Sequence, residues 1–315
     1  MAVRLAFDLE KLGTAALGLT AAAFAYGTFN WLGVLTGERA AHRVFSVLGG
    51  ILATCIAVFF SGLVARMATV QLLEDRRLRA DELTRFARER WTTLVGIPLA
   101  FGGIALLMLG LEALLALVGA IPGIGPIVWS ASFLLAFFLS LVAVLTAAIH
   151  MVGAFLYPSI VAIRGVGAVG AMLEVVELAR RKPLYLILYE AIVGAVGALM
   201  TLLIGVVVWA SINLTVFLGA SIMGENFEQT VSALPRFFHI FLRPFARIIP
   251  FPSEELELAW HYDLSGILLG ASLLVVVVLT IVYPFVFFTS AGSIVYLILR
   301  HDGQPPPERS PIEDL

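Results

Sequence analysis

The chain has 315 residues, of which 60% are hydrophobic and 13% are Asp, Glu, Lys or Arg, with a formal net charge of −2. A water-soluble domain of this composition would lack the polar side chains needed to cover its surface, so the composition predicts an integral membrane protein. The single cysteine, Cys55, excludes an internal disulfide and a cysteine metal cluster.

Six apolar runs are long enough to cross the hydrocarbon, which takes roughly 20 helical residues. They cover approximately residues 13–36, 44–70, 92–118, 127–157, 184–218 and 264–299. We therefore predict an all-α fold, a polytopic transmembrane bundle of about six spans that forms one membrane domain over residues 1–300. Pro158 and Pro284 are the expected kink or end points. The first run stays apolar to Leu35, so we expect a retained span and not a cleaved secretory signal.

Lys and Arg are unevenly distributed between the segments that join these runs. Fifteen of the 20 lie near the N-terminus, the second connection, the fourth connection and the C-terminus. The other five are Arg39, Arg43, Arg236, Arg243 and Arg247. Because positive residues concentrate in the cytoplasm, this distribution predicts that both termini are cytoplasmic.

Two charged segments, residues 71–90 and 172–181, are too polar to cross a membrane, yet each places apolar residues on one helical face. We predict two amphipathic helices on the cytoplasmic surface, the second half of the first being N-capped by Asp81. Glu177 and Arg181 have the spacing of a helical ion pair. Contacts to lipid headgroups or a partner are expected from Arg85, Arg88, Arg90, Arg180, Arg181 and Lys182. The alternative is solvated helices whose arginines only enforce topology.

The two charged segments also match each other at an offset of 92 residues. Arg88 matches Arg180, and Arg90 matches Lys182. This pattern indicates either a parallel duplication of span, surface helix and span, or a chance similarity between two amphipathic helices.

Two further segments lie outside the spans. Residues 219–262 are rich in phenylalanine and are interrupted by four prolines, which predicts short helical pieces at the outer membrane interface. Residues 301–315 are polar and proline-rich, which predicts a disordered cytoplasmic tail.

Catalytic signatures are absent from the sequence: it contains no zinc-binding H-E-x-x-H helix, no P-loop and no G-x-S-x-G elbow. We expect no catalytic residue, no metal, no cofactor and no nucleic-acid partner. Gly165, Gly167 and Gly170 spell GxGxxG, but a dinucleotide site needs a preceding strand, and here a span precedes. These glycines are expected to let the chain bend from the fourth span into the second surface helix.

Ionisable residues inside the spans are the candidate polar site, because a charge at the centre of a spanning helix costs about 2.5 to 3.5 kcal/mol. His150 and Glu190 are predicted at similar depths, so they could form a pair in a proton path or a polar binding site. The structural alternative is that Glu190 reaches the interface or satisfies nearby hydroxyl and backbone groups. Glu112 is expected nearer the outer side, away from both.

Two stretches carry a resemblance to known proteins. They read VARMATVQLLEDRRLRADELTRFARERWTTLVGIPLAFGGIALL and YPSIVAIRGVGAVGAMLEVVELARRKPLYLILYEAIVGAV. They resemble regions of six-span bacterial membrane proteins of the planctomycete type. More distantly, the second resembles the membrane domain attached to some glycerophosphodiester phosphodiesterases. The resemblance covers roughly residues 60–205 and implies a helical membrane domain without a defined activity. The phosphodiesterase barrel takes about 250 residues, and the six spans leave too few of the 315 residues for it.

These observations favour a non-enzymatic accessory or scaffold subunit that contacts membrane lipids and either a membrane-protein partner or further copies of itself. The first alternative is a transporter or channel-like domain that uses His150 and Glu190. The second is a membrane-embedded lipid enzyme, for which only the same two residues could supply paired catalytic groups.

Overall fold

The computed structural model describes residues 8–119, 121, 125–223, 228–229, 231–234 and 260–301. Of the described residues 93% are helical and none lies in a strand, which confirms the all-α prediction. Most of the predicted outer segment, residues 235–259, and the predicted tail from residue 302 onward lie outside the described residues.

Six helices are long and apolar enough to cross a membrane, as the six apolar runs predict. The described helices are α1 Leu9–Leu35, α2 Arg39–Leu73, α3 Ala80–Gly119, α4 Gly125–Gly153, α5 Tyr157–Arg164, α6 Ala168–Arg181, α7 Pro183–Met223 and α8 Trp260–His301. The spans lie in α1 to α4, α7 and α8. Because α3, α7 and α8 have 40, 41 and 42 residues, about twice the roughly 20 required, they tilt or extend beyond the hydrocarbon.

The fourth span ends earlier than predicted, because α4 stops at Gly153 and not near residue 157. In the turn that follows, the Leu156 N–H donates to the Gly153 carbonyl at 2.8 Å. The Tyr157 ring folds back over Gly153, where a Cβ would lie 2.1 Å from the ring. Only glycine leaves room for this ring. Pro158 lies in the first turn of α5, where its missing N–H removes no helical hydrogen bond.

Of the two predicted surface helices, only the second is a helix of its own, α6. The second half of the first is instead the beginning of α3, which continues unbroken from Ala80 into the third span. Asp81 is not the N-cap, since it already lies inside the helix. The Glu82 carboxylate accepts the Arg79 N–H at 3.3 Å and so satisfies a donor at the helix start.

The chain bends by 116° between α5 and α6. Gly165 ends α5 in the left-handed conformation, at φ 62° and ψ 20°, and Gly167 precedes α6 with extended backbone. A left-handed residue after the last helical turn is the usual way for a helix to stop, and glycine adopts it without steric cost. The expected bend at these glycines is present, and it separates α6 from the short helix α5.

The described residues form two compact units. The first lies within residues 3–60 and 194–287 and contains α1 with the beginning of α2. In it the Ser46 hydroxyl donates to the side-chain oxygen of Asn30 at 3.2 Å. The rings of Phe29 and Phe45 lie 6.4 Å apart. These contacts fix the hairpin between the first two spans.

The second unit lies within residues 61–193 and 288–315. It contains α3 to α6, the first turns of α7 and the ends of α2 and α8. Its fully buried apolar side chains include Leu94 and Ile97 of α3 with Ile160 and Val161 of α5. The three candidate intramembrane residues and the six candidate surface cations all belong to this unit.

Candidate functional site

Glu112 is satisfied within its own helical hairpin. The Ser140 hydroxyl of α4 donates to Glu112 Oε2 of α3 at 2.6 Å. A hydroxyl donor stabilises a carboxylate that would otherwise be costly inside a span. Glu112 therefore has a packing partner and does not join the other two candidates.

His150 lies in an aromatic cluster close to the end of α4. Its ring is 5.1 Å from the Phe101 ring and 6.1 Å, in a stacked arrangement, from the Tyr157 ring. The Tyr157 hydroxyl donates to the Ile149 carbonyl at 3.2 Å. His150 Nδ1 is buried and has no hydrogen-bond partner in the described part of the chain.

Glu190 does not pair with His150. The structure contains no hydrogen bond or ion pair between these two described residues, and Glu190 Oε1 is buried without a hydrogen-bond partner. The predicted pair is thus not formed. The three candidate residues have three different surroundings: a serine for Glu112, aromatic rings for His150 and an unsatisfied position on α7 for Glu190.

Two arginines of the second unit instead converge on the end of α5. Arg66 Nη1 donates to the Ala162 carbonyl at 3.0 Å, and Arg90 Nη1 donates to the Gly165 carbonyl. The Arg66 guanidinium also lies 5.8 Å from the centre of the Phe86 ring. The last carbonyls of a helix lack internal partners and carry partial negative charge, so cations are favoured there. These two arginines hold α5 against α2 and α3.

Glu174 of α6 joins three helices. Its Oε2 accepts from Arg164 Nη1 of α5 at 2.8 Å, and its Oε1 accepts from the Tyr296 hydroxyl of α8. The Glu174 side chain is 14% exposed. We call Arg66, Arg90, Arg164, Glu174, Lys182 and Tyr296 the elbow network, because their bonds fasten the end of α5 and the length of α6 to neighbouring helices.

Lys182 completes the elbow network. Its Nζ donates to the Leu299 carbonyl in the last turns of α8 at 2.9 Å. Arg90 and Lys182, which match at the 92-residue offset, therefore both serve as donors to the C-terminal carbonyls of another helix. Both residues are partly buried and bonded within the chain, and their contact with lipid headgroups stays a prediction.

The other four predicted headgroup contacts remain at the surface. Arg181 forms the expected ion pair with Glu177 at 2.6 Å. Arg85, Arg88 and Arg180 are exposed. An exposed ion pair contributes little to stability, so these side chains are available for outside contacts.

Three members of this network, Arg66, Glu174 and Tyr296, were not predicted from the sequence. Arg66 had a signal, because it is the one charged residue in the apolar run at residues 44–70. Glu174 had a weaker one, since it matches Glu82 at the 92-residue offset. No signal in the sequence distinguishes Tyr296 from other aromatic residues in a span.

The described residues contain no group of three His, Cys, Asp or Glu side chains placed to hold a metal ion. No protein-family model matches the chain, and no curated protein and no solved structure matches it. The resemblance to six-span bacterial membrane proteins therefore stays a prediction.

Proposed function

We propose that this protein is a non-enzymatic accessory or scaffold subunit of a bacterial inner membrane, with both termini in the cytoplasm. The observation that carries the proposal is the exposure of α7. In the most apolar part of Pro183–Ile222 only 6% of the residues are buried by the rest of the chain. A span that the described part of the chain leaves uncovered is available to lipid or to another membrane protein.

The exposed side of α7 has a composition that suits a protein partner. Ala191, Ala195 and Ala198 are exposed and recur at helical spacing. Helices in membranes approach each other closely where small residues meet, because close packing replaces the hydrophobic effect as the source of attraction. The same helix exposes Leu203 farther around, about 100° from the middle of the alanine face, where lipid would suffice.

The intramembrane polar groups also favour this role over a transporter or a lipid enzyme. A solute pathway or a catalytic centre needs several polar groups that face one another. Glu112, His150 and Glu190 have separate surroundings, and the polar residues that do converge, in the elbow network, bind helix-end carbonyls and one another. Their arrangement fastens helices together.

Photo-crosslinking tests the proposal in native membranes. A benzoylphenylalanine at position 198 is expected to yield a discrete protein adduct, and one at position 203 only lipid adducts. The two positions are similarly exposed but point about 140° apart on the helix. Equal protein adducts at both positions would reject a defined partner face. Movement of a solute by the purified protein in proteoliposomes would reject the accessory role itself.

The transporter alternative has one specific observation in its favour. His150 Nδ1 and Glu190 Oε1 are both buried without hydrogen-bond partners in the described part of the chain. A second conformation could bring such atoms to water or to a solute. Proton uptake into proteoliposomes, followed with an internal pH dye, decides this: the transporter predicts a flux that Glu190→Gln abolishes, and the accessory role predicts no flux above that of empty liposomes.

A further inference from the structure

The helix α6 has two apolar faces, and the described part of the chain covers only one of them. Ala171 and Val175 are fully buried. On the opposite side Val169, Leu173 and Val176 are 68%, 64% and 41% exposed. Together with Arg180 these residues are spaced by four, three and four positions, so they form one straight line along the helix. We call these four residues the outer line of α6.

The position of α6 is fixed at both ends, so the outer line cannot turn inward. At its beginning Arg90 holds the Gly165 carbonyl, and in its middle Glu174 is bonded to Arg164 and Tyr296. At its end Lys182 is bonded to the Leu299 carbonyl. The exposure of three large apolar side chains is therefore a lasting property of this surface.

The outer line ends in a cation, Arg180, that has no hydrogen-bond or ion-pair partner among the described residues. The neighbouring Arg181 is paired with Glu177, and Arg164 with Glu174. Arg180 is exposed and makes no hydrogen bond or ion pair within the described part of the chain. A row of apolar side chains that ends in an unpaired guanidinium is complementary to a phospholipid. The apolar surface can contact an acyl chain, and the positive charge can contact a phosphate.

We infer that α6 lies at the membrane interface and binds an acidic phospholipid through its outer line. The acyl chain lies along Val169, Leu173 and Val176, and the headgroup phosphate contacts Arg180. The exposed Leu184 and Tyr185 at the start of α7 extend the apolar surface into the next span. This inference does not depend on a protein partner for α7 and is independent of the accessory role.

The matched segment, residues 77–88 around the start of α3, lacks this property, which makes it an internal control. The positions 92 residues before the outer line are Arg77, Asp81, Thr84 and Arg88. Arg88 corresponds to Arg180, but the three apolar residues are replaced by polar ones. Thr84 is exposed, as is its counterpart Val176, and is expected to face water or headgroups and not acyl chains.

Fluorescence quenching in nanodiscs tests the inference with the full chain. Cys55 is replaced by alanine, and a bimane label is attached to Val176→Cys or, as the control, to Thr84→Cys. Brominated acyl chains are supplied on phosphatidylglycerol or on phosphatidylcholine. We expect quenching at position 176 and little at position 84, with about fivefold enrichment of phosphatidylglycerol over phosphatidylcholine at position 176. Arg180→Gln should abolish the enrichment and leave the quenching itself.

Three outcomes would overturn the inference. Absence of quenching at position 176 would mean that the outer line does not face acyl chains. Equal quenching by the two lipids in the protein that retains Arg180 would show that the outer line has no preference for an acidic headgroup. Dipolar broadening between spin labels at position 176 in proteoliposomes would show that the outer line contacts a second copy of the chain and not lipid.

Discussion

The two connections that carry most of the arginines match at an offset of 92 residues, yet the chain passes through them differently. After residues 74–79, α3 begins at Ala80 and runs unbroken through Trp91 into its span. In the second connection α6 ends at Arg181 and α7 begins at Pro183. Pro183 occupies the position that matches Trp91. Proline lacks an N–H and forces the preceding residue out of helical geometry, and Lys182 has φ −133° and ψ 52°.

The matched carboxylates Glu82 and Glu174 differ in the same way. Glu82 binds Arg76 at 2.7 Å, within a local turn, and its side chain is 29% exposed. Glu174 joins α5, α6 and α8 and is 14% exposed. Similar residues thus form a solvated turn in one connection and a packed junction in the other. We therefore expect the neighbouring helices, and not the charged residue itself, to determine what each carboxylate contributes to stability.

The largest expected effect comes from making the first connection resemble the second. Trp91→Pro should lower the free energy of unfolding by about 3 kcal/mol, because proline removes a hydrogen bond inside α3 and clashes with the preceding turn. Denaturation with SDS in mixed micelles, followed by far-UV circular dichroism, measures this change.

The control for this variant is Trp91→Ala, which removes the largely exposed side chain but keeps the backbone N–H. It should cost less than about 1 kcal/mol. An equal decrease in the free energy of unfolding in the two variants would show that the continuity of α3 at residue 91 does not contribute to stability. The contrast with Pro183 would then have no energetic meaning.

An intermediate effect is expected at the carboxylates. Glu174→Gln should destabilise the protein by about 2 kcal/mol, since it weakens two hydrogen bonds to a nearly buried charge. Glu82→Gln should cost at most about 0.5 kcal/mol, as is usual for exposed ion pairs. The same SDS titration compares them. A loss of the same size in both variants would contradict the distinction between a solvated turn and a packed junction.

The sequence was sufficient for the number and type of the spans, because a run of about 20 apolar residues has few alternatives to a membrane helix. It was not sufficient for two boundaries. The end of α4 depends on the Tyr157 ring that covers Gly153, and the start of α3 depends on Glu82, which caps the helix in place of Asp81. Both contacts become visible only once the side chains are placed.

The candidate site was predicted in part. Charged residues within apolar runs are rare, so Glu112, His150 and Glu190 could be identified, but their partners could not. Ser140 lies 28 positions from Glu112, and no pattern in the sequence links the two. Arg90 and Lys182 bind backbone carbonyls, an acceptor that every residue possesses, so composition and spacing contain no signal for such contacts.

The smallest expected effects concern the left-handed residue in each connection, and they have opposite signs. Gly165 has φ 62° and Asp75 has φ 49°. Gly165→Ala should destabilise the protein by about 1 kcal/mol, because an L side chain is strained in this conformation. Its Cβ would also lie 2.9 Å from Arg90 Nη2. Asp75→Gly should stabilise the protein by about 0.5 kcal/mol, since relief of strain slightly outweighs the greater freedom of glycine in the unfolded chain. The SDS titration again measures both. Stabilisation by Gly165→Ala would mean that the bend between α5 and α6 is set by the elbow network without any requirement for glycine.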